Sequence, residues 1–145
     1  MFFFVVLFAS CSDTRRRASL VQAIENSDSN AIVLLKESGF NLSLPDKTGN
    51  RNTPLIWAIF FGKKDMVKFL LENGADPNIT NRDGETPLTR AIAGGDANAD
   101  VVEMLLKYGA DPSARDRHGA TPMAYALANP PRPQIVAILK KAGAR

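Results

Sequence analysis

Apolar residues fall along this chain in pairs of short bursts. Leu55, Ala58 and Ile59 form one burst, and Met66, Val67, Phe69, Leu70 and Leu71 form the next, after a break at Gly62. The couple returns as Leu88, Ala91 and Ile92 followed by Val102, Met104 and Leu105. It returns again as Met123, Ala126 and Leu127 followed by Val136, Ile138 and Leu139. A fainter copy comes first: Leu20, Ala23 and Ile24, then Ile32, Leu34 and Leu35. Steps of three and four residues put such positions on one face of a helix. The pattern predicts four helix pairs. One pair cannot bury its apolar face alone, so neighbours must stack into a continuous core. The alanine in the same column of every copy (Ala23, Ala58, Ala91 and Ala126) lets paired helices approach closely.

The residues between the bursts punctuate these helices. Thr53-Pro54, Thr86-Pro87 and Thr121-Pro122 each place a capping hydroxyl before a proline, at the helical position where no N–H partner is needed. Asp65 suits the positive N-terminus of the second helix of its pair. Gly39, Gly74, Gly109 and Gly143 stand where each second helix ends, as left-handed C-caps. Lys36 and Lys140 in the outer copies replace Leu71 and Leu106 of the inner ones, as a terminal unit facing water requires. Ala18-Ser19 stands in place of Thr-Pro in the first copy, and the last copy closes at Gly143. The array therefore reads as complete at four units.

The copies also share words. Thr53-Pro54-Leu55-Ile56-Trp57-Ala58-Ile59 recurs as Thr86-Pro87-Leu88-Thr89-Arg90-Ala91-Ile92 and as Thr121-Pro122-Met123-Ala124-Tyr125-Ala126-Leu127, in steps of 33 and 35 residues. Gly74-Ala75-Asp76-Pro77-Asn78 is echoed by Gly109-Ala110-Asp111-Pro112-Ser113. Two linked phrases at this period resemble the ankyrin repeat. The resemblance covers residues 18–145, with repeats at about 18–47, 48–80, 81–115 and 116–145. It implies an all-α ankyrin-repeat solenoid of about four stacked helix-turn-helix units joined by finger-like connecting turns. It also implies a protein-binding surface rather than a catalytic pocket.

Departures from the simple period fall between helices. Lys47 to Asn52 is two residues longer than its counterpart, Gly94 to Ala99 adds two, and Asn129 to Pro133 adds about one. A stack accepts insertions in loops, where they either extend a binding edge or record drift in exposed turns.

Composition narrows the function. A length of 145 residues allows one domain, and 45% hydrophobic residues suffice for its core. The net charge of +3 is mild and the basic residues are not gathered on one helix, so nucleic-acid binding has little support. His118 is the only histidine, at a turn tip, without the base and orienting group a triad needs. One Cys and one His, far apart, do not make a zinc site. No glycine-rich phosphate motif appears. No catalytic residue, metal or cofactor is expected, and the expected state is a monomer.

The single cysteine also excludes an intrachain disulfide, and its place is informative. Residues 1–9 are an apolar run of signal-peptide length, too short to span a membrane. Phe8-Ala9-Ser10-Cys11 resembles a bacterial lipobox, although Phe8 occupies the place where that pattern prefers Leu, Val or Ile. The resemblance implies a signal peptide at 1–10, acylation of Cys11, a linker over 11–17, and anchoring as an outer-membrane lipoprotein facing the periplasm. Against export, no Lys or Arg precedes the run, whereas Arg15-Arg16-Arg17 follow it. The alternative is a cytoplasmic adaptor whose N-terminus is misassigned.

Phe60 and Phe61 are the leading candidates for partner binding. Their columns hold Glu25-Asn26, Ala93-Gly94 and Ala128-Asn129 elsewhere, so they are not shared core. In ankyrin repeats these positions face the concave groove, where two aromatics serve as anchors. The alternative tucks them under the long third-repeat loop. Trp57 shares a column with Gln22, Arg90 and Tyr125 and reads first as a half-buried packing residue, with a partner contact in the groove as its second reading. Arg82, Arg117 and His118 lie on the fingers, where interleaved charge can steer an acidic protein partner.

Overall fold

The computed structural model describes residues 13–47, 49–94, 99–128 and 130–144. These form eight helices: α1 (Asp13–Glu25), α2 (Ser29–Glu37), α3 (Pro54–Phe60), α4 (Lys64–Glu72), α5 (Pro87–Ala93), α6 (Ala99–Lys107), α7 (Pro122–Leu127) and α8 (Pro133–Lys141). The first helices of the repeats, α1, α3, α5 and α7, pack side by side in one row. The second helices α4, α6 and α8 form the outer row, and each helix also packs on its own pair-mate. This is the expected all-α ankyrin-repeat solenoid.

Local chemistry starts and stops the helices as the sequence predicts. The Thr53, Thr86 and Thr121 hydroxyls accept from the backbone N–H of Ile56, Thr89 and Ala124, each at 3.2 Å. Pro54, Pro87 and Pro122 follow at the first helical position. The four closing glycines take φ from 83° to 89°, a conformation in which a Cβ is strained.

The first helix departs from the expectation. It begins at Asp13, so residues 13–17 are helix and not linker. Ala18-Ser19 supplies neither a proline nor a capping threonine to start a helix there. Arginine is also a good helix former, which favours continuation through Arg15–Arg17. Cys11 and the apolar run lie outside the described residues, as do 95–98 of the third-repeat insertion and Asn129.

The core is one continuous stripe. Ile24, Ile32, Leu70, Leu88, Ile92, Leu105 and Leu139 are fully buried. Each such side chain contributes about 1.5–3 kcal/mol of burial. The alanine column is buried throughout, at 6% exposure or less. Leu71 is buried and Leu106 half-buried, whereas their counterparts Lys36 and Lys140 are exposed. Lys36 Nζ also donates to Asn73 Oδ1 in the next repeat, at 3.1 Å. Leu127 is 59% exposed, whereas Ile92 in the same column is covered by the following repeat.

The fingers are short hairpins stapled to one another. The N–H groups of Asp46, Asn81 and Asp116 donate to the carbonyls of Asn52, Glu85 and Ala120 at 2.8, 3.0 and 3.1 Å. The longer first hairpin holds the two inserted residues. Arg82 N–H reaches Asn50 O at 2.8 Å, and Arg117 N–H reaches Asp83 O at 3.1 Å, linking consecutive fingers. At Gly84 a Cβ would lie 2.8 Å from Arg117 N, so glycine permits that approach. Asp76 and Asp111 each accept from the N–H two residues on, at 2.8 Å, which closes their turns locally. Asn78 does more than its turn requires. Its amide accepts from Asp111 N–H at 2.8 Å and donates to Gly109 O at 2.9 Å, joining the second repeat to the third.

Candidate partner-binding face

The end of α3 gathers three aromatic rings. Trp57 and Phe61 are stacked, with centroids 5.6 Å apart and planes 19° from parallel. Phe60 stands edge-on to both, 5.6 Å from Trp57 and 5.5 Å from Phe61. Trp57 and Phe61 are partly buried against the core, so their rings are held in place. Phe60 is 56% exposed. A rigid aromatic platform with one outward ring is what an interface anchor requires, because little side-chain entropy remains to be lost.

Trp57 is fixed at its polar end as well. Its Nε1–H donates to Asp46 Oδ2 at 2.7 Å, tying α3 to the first finger. The fourth repeat repeats this with other atoms: Tyr125 Oη donates to Asp116 Oδ2 at 2.6 Å. The other oxygen of Asp116 accepts from His118 N–H and Ala120 N–H at 2.8 and 2.9 Å. The Tyr125 bond, with help from those amides, holds the Asp116 carboxyl below its ordinary value although burial opposes this. The same bond pushes the Tyr125 hydroxyl up to about 12.

The third repeat breaks the pairing. Asn81 replaces the aspartate, and its Oδ1 accepts from the N–H groups of Asp83 and Glu85 at 3.0 Å each. Arg90 replaces the aromatic donor, and its guanidinium carbon lies 5.6 Å from the Phe60 ring centroid. That is cation–π distance. Arg90 thus joins the aromatic cluster. Its sequence position, in the Trp57 column, was visible. Its placement over Phe60 was not, because it depends on the spacing between two repeats.

The candidate residues divide into two groups. Trp57, Phe60 and Phe61 come together at the C-terminal end of α3. Arg82, Arg117 and His118 sit on the fingers, beyond the N-terminal ends of the first helices. A seven-residue helix separates those ends by about 10 Å. Arg82 is turned to the preceding finger and donates to Gly49 O at 3.1 Å. Arg117 and His118 are exposed. The aromatics and the finger cations therefore flank one surface without forming a single contact cluster among the described residues. A cleft opens beside Phe60, between the second and third repeats, lined by Lys63 and Arg90 among others.

Among the described residues, no helix is long and apolar enough to cross a membrane, and no cluster of His, Cys, Asp and Glu could hold a metal ion.

Comparison with known proteins agrees with this architecture. The chain is 34% identical to the human 2-5A-dependent ribonuclease over an alignment of 90 residues that takes in 57% of this chain and 12% of that protein. A segment of 50 residues, 34% of the chain, is 48% identical to the human DNA-binding protein RFXANK and covers 18% of it. The mouse RFXANK protein is 47% identical over 58 residues, 39% of the chain and 21% of that protein. The chain thus spans only a small part of the length of these relatives. The family model for ankyrin repeats in many copies matches residues 20–71 and 55–104. Those matches span more than half of the sequence, in the register of the helix pairs and fingers, and the chain belongs to the ankyrin-repeat family.

Proposed function

We propose that this protein is a lipid-anchored binding module of a bacterial envelope, which holds or blocks a partner protein on the face formed by its first helices and fingers. Ankyrin repeats are protein-interaction modules, and the finer reading rests chiefly on Phe60. It is a large aromatic residue, 56% exposed, braced by two neighbouring rings in a column that is not aromatic in the other repeats. Such residues carry much of the energy of many interfaces. The exposed cations of the fingers add attraction at longer range and raise the association rate. The human and mouse RFXANK proteins are named as DNA-binding, but this chain covers about a fifth of them, and the three arginines at the start of α1 are followed by no further Lys or Arg in that helix. A protein partner is the better reading. The protein acts as a monomer in this scheme.

Anchoring would come from acylation of Cys11, supported by the apolar run before it and the lipobox-like Phe8-Ala9-Ser10. Several acyl chains hold a protein on a bilayer where one binds only marginally. Arg15–Arg17 would then lie close to anionic head groups. The same arginines favour the second reading, a cytoplasmic adaptor, because positive charge after an apolar run opposes export. Radiolabelled palmitate separates the two: incorporation by the wild type and not by Cys11→Ser is expected, and a soluble protein retaining Met1 would refute anchoring. For the face, a partner captured from membrane extract should bind Phe60→Ala or Phe61→Ala more weakly by over about 1 kcal/mol. Wild-type affinity in both folded variants would reject it.

A further inference from the structure

We infer that the cleft between the second and third repeats receives an acidic, extended segment of a partner protein, with an apolar side chain seated beside Phe60 and carboxylates held by Arg90 and Lys63. This rests on the proposed partner-binding face and names the chemistry it selects. The cleft has a volume of about 440 Å³. Its apolar wall includes Ile59, Phe60, Val67 and Val101, and its rim carries Lys63, Lys64 and Arg90. None of the described residues lining it is acidic.

The rim cations differ in how they are used. Lys64 is ion-paired with Asp100. Arg90 is not: among the described residues its guanidinium makes no hydrogen bond or ion pair and only faces the Phe60 ring. The reason lies in the repeat register. In this column Trp57 and Tyr125 each donate to an aspartate, Asp46 and Asp116. The third finger offers Asn81 instead, which carries no charge and spends its oxygen on backbone amides. The third repeat therefore combines a charged fork with the loss of its internal carboxylate. A guanidinium that makes only this cation–π contact keeps its N–H fork available, and that fork can take a carboxylate in two parallel bonds. Lys63, half-buried on the turn after α3, supplies the second positive charge on the rim.

Apart from Phe60 the apolar wall is aliphatic, with Ile59, Val67 and Val101, which favours a protein side chain over a nucleobase. A nucleic-acid track would need a run of cations, whereas Asp83 and Glu85 interrupt the finger edge.

Trp57 is the sole tryptophan, and its ring stands 5.6 Å from the Phe60 centroid, so its fluorescence reports on the site. The full chain in detergent is titrated with a synthetic peptide of Asp and Glu carrying one central Phe. The comparisons are the same peptide with Ala at the centre and a single-stranded oligonucleotide of equal charge. Saturable binding by the Phe peptide is expected, about tenfold tighter than by the Ala peptide. Arg90→Gln and Lys63→Gln should each weaken it about fivefold and lessen its salt dependence, with Arg90→Lys retaining part. Circular dichroism checks that the variants remain folded. Absence of binding, equal affinity for the Ala peptide, tighter binding of the oligonucleotide, or wild-type affinity in both Gln variants would overturn the inference. A natural partner that needs Phe60 but ignores Arg90, Lys63 and salt would reject the acidic chemistry and leave the aromatic face standing. One indifferent to Phe60→Ala and Phe61→Ala would reject both.

Discussion

At the residue scale, the column shared by Trp57, Arg90 and Tyr125 has one job in two repeats and another in the third. Trp57 and Tyr125 lock their first helices to the finger aspartates, and Arg90 is released toward Phe60. Tyr125→Phe tests the lock. It removes a bond to a buried carboxylate and should cost about 1.5–3 kcal/mol at neutral pH. The pH window follows from the two shifts. Asp116 is lowered in the folded state, so its contribution is present above the ordinary value of 3.8 and lost as pH falls through the folded value. Tyr125 is raised to about 12, so its contribution is present below the ordinary 10.0 and lost as pH climbs through about 12. Urea denaturation at pH 7 should therefore separate Tyr125→Phe clearly from the wild type. In strong acid the two should converge, and a pH-independent gap would show that packing rather than the hydrogen bond is at stake.

At the element scale, the short first helices depend on their caps. A helix of six or seven residues is not stable alone, so its nucleus must be supported by the cap and by neighbours. Thr53 is 1% exposed and its hydroxyl is occupied by Ile56 N–H. Thr53→Ala should cost about 0.5–2 kcal/mol, measured by chemical denaturation, and Thr53→Ser should recover most of it. On the outer row, Leu70 is completely buried in a central repeat while Lys140 is exposed in the last. Leu70→Ala should cost about 2–5 kcal/mol. Lys140→Ala should leave the melting temperature nearly unchanged. Equal melting temperatures for the two would contradict the stacked-core architecture.

At the scale of the whole molecule, each repeat is supported only by its neighbours, so the end units have one supporting interface where the inner units have two. Leu127, exposed at the far side of α7, shows the cost of that position directly. Amide exchange should be slowest in α3 to α6 and faster in α8. Leu139→Ala, at a buried site in α8, should speed exchange there before it affects α4. Uniform protection across the stack would mean that the four repeats open only as a single unit. The aromatic face lies between the second and third repeats, in the region predicted to open last, which suits a rigid binding platform.

Periodicity alone was enough for the helix pairs, their caps, the closing glycines and the polar ends, because each depends on contacts within a repeat or on a regular step to the next. Phe60 and Phe61 were visible for the same reason, as residues that break a column. The start of α1 was not legible, because Ser19 is a residue type that can cap a helix yet lies inside α1, and helix propensity continues upstream through Arg15–Arg17. The pairing of Arg90 with Phe60, the inter-repeat bridge made by Asn78, and the separation of Phe60 from Arg82 and His118 were decided only by the tertiary structure. Those relations join side chains on different repeats, and whether they meet depends on the offset and rotation between stacked units. That offset is set by the packed core, a sum over many contacts that no single repeat contains.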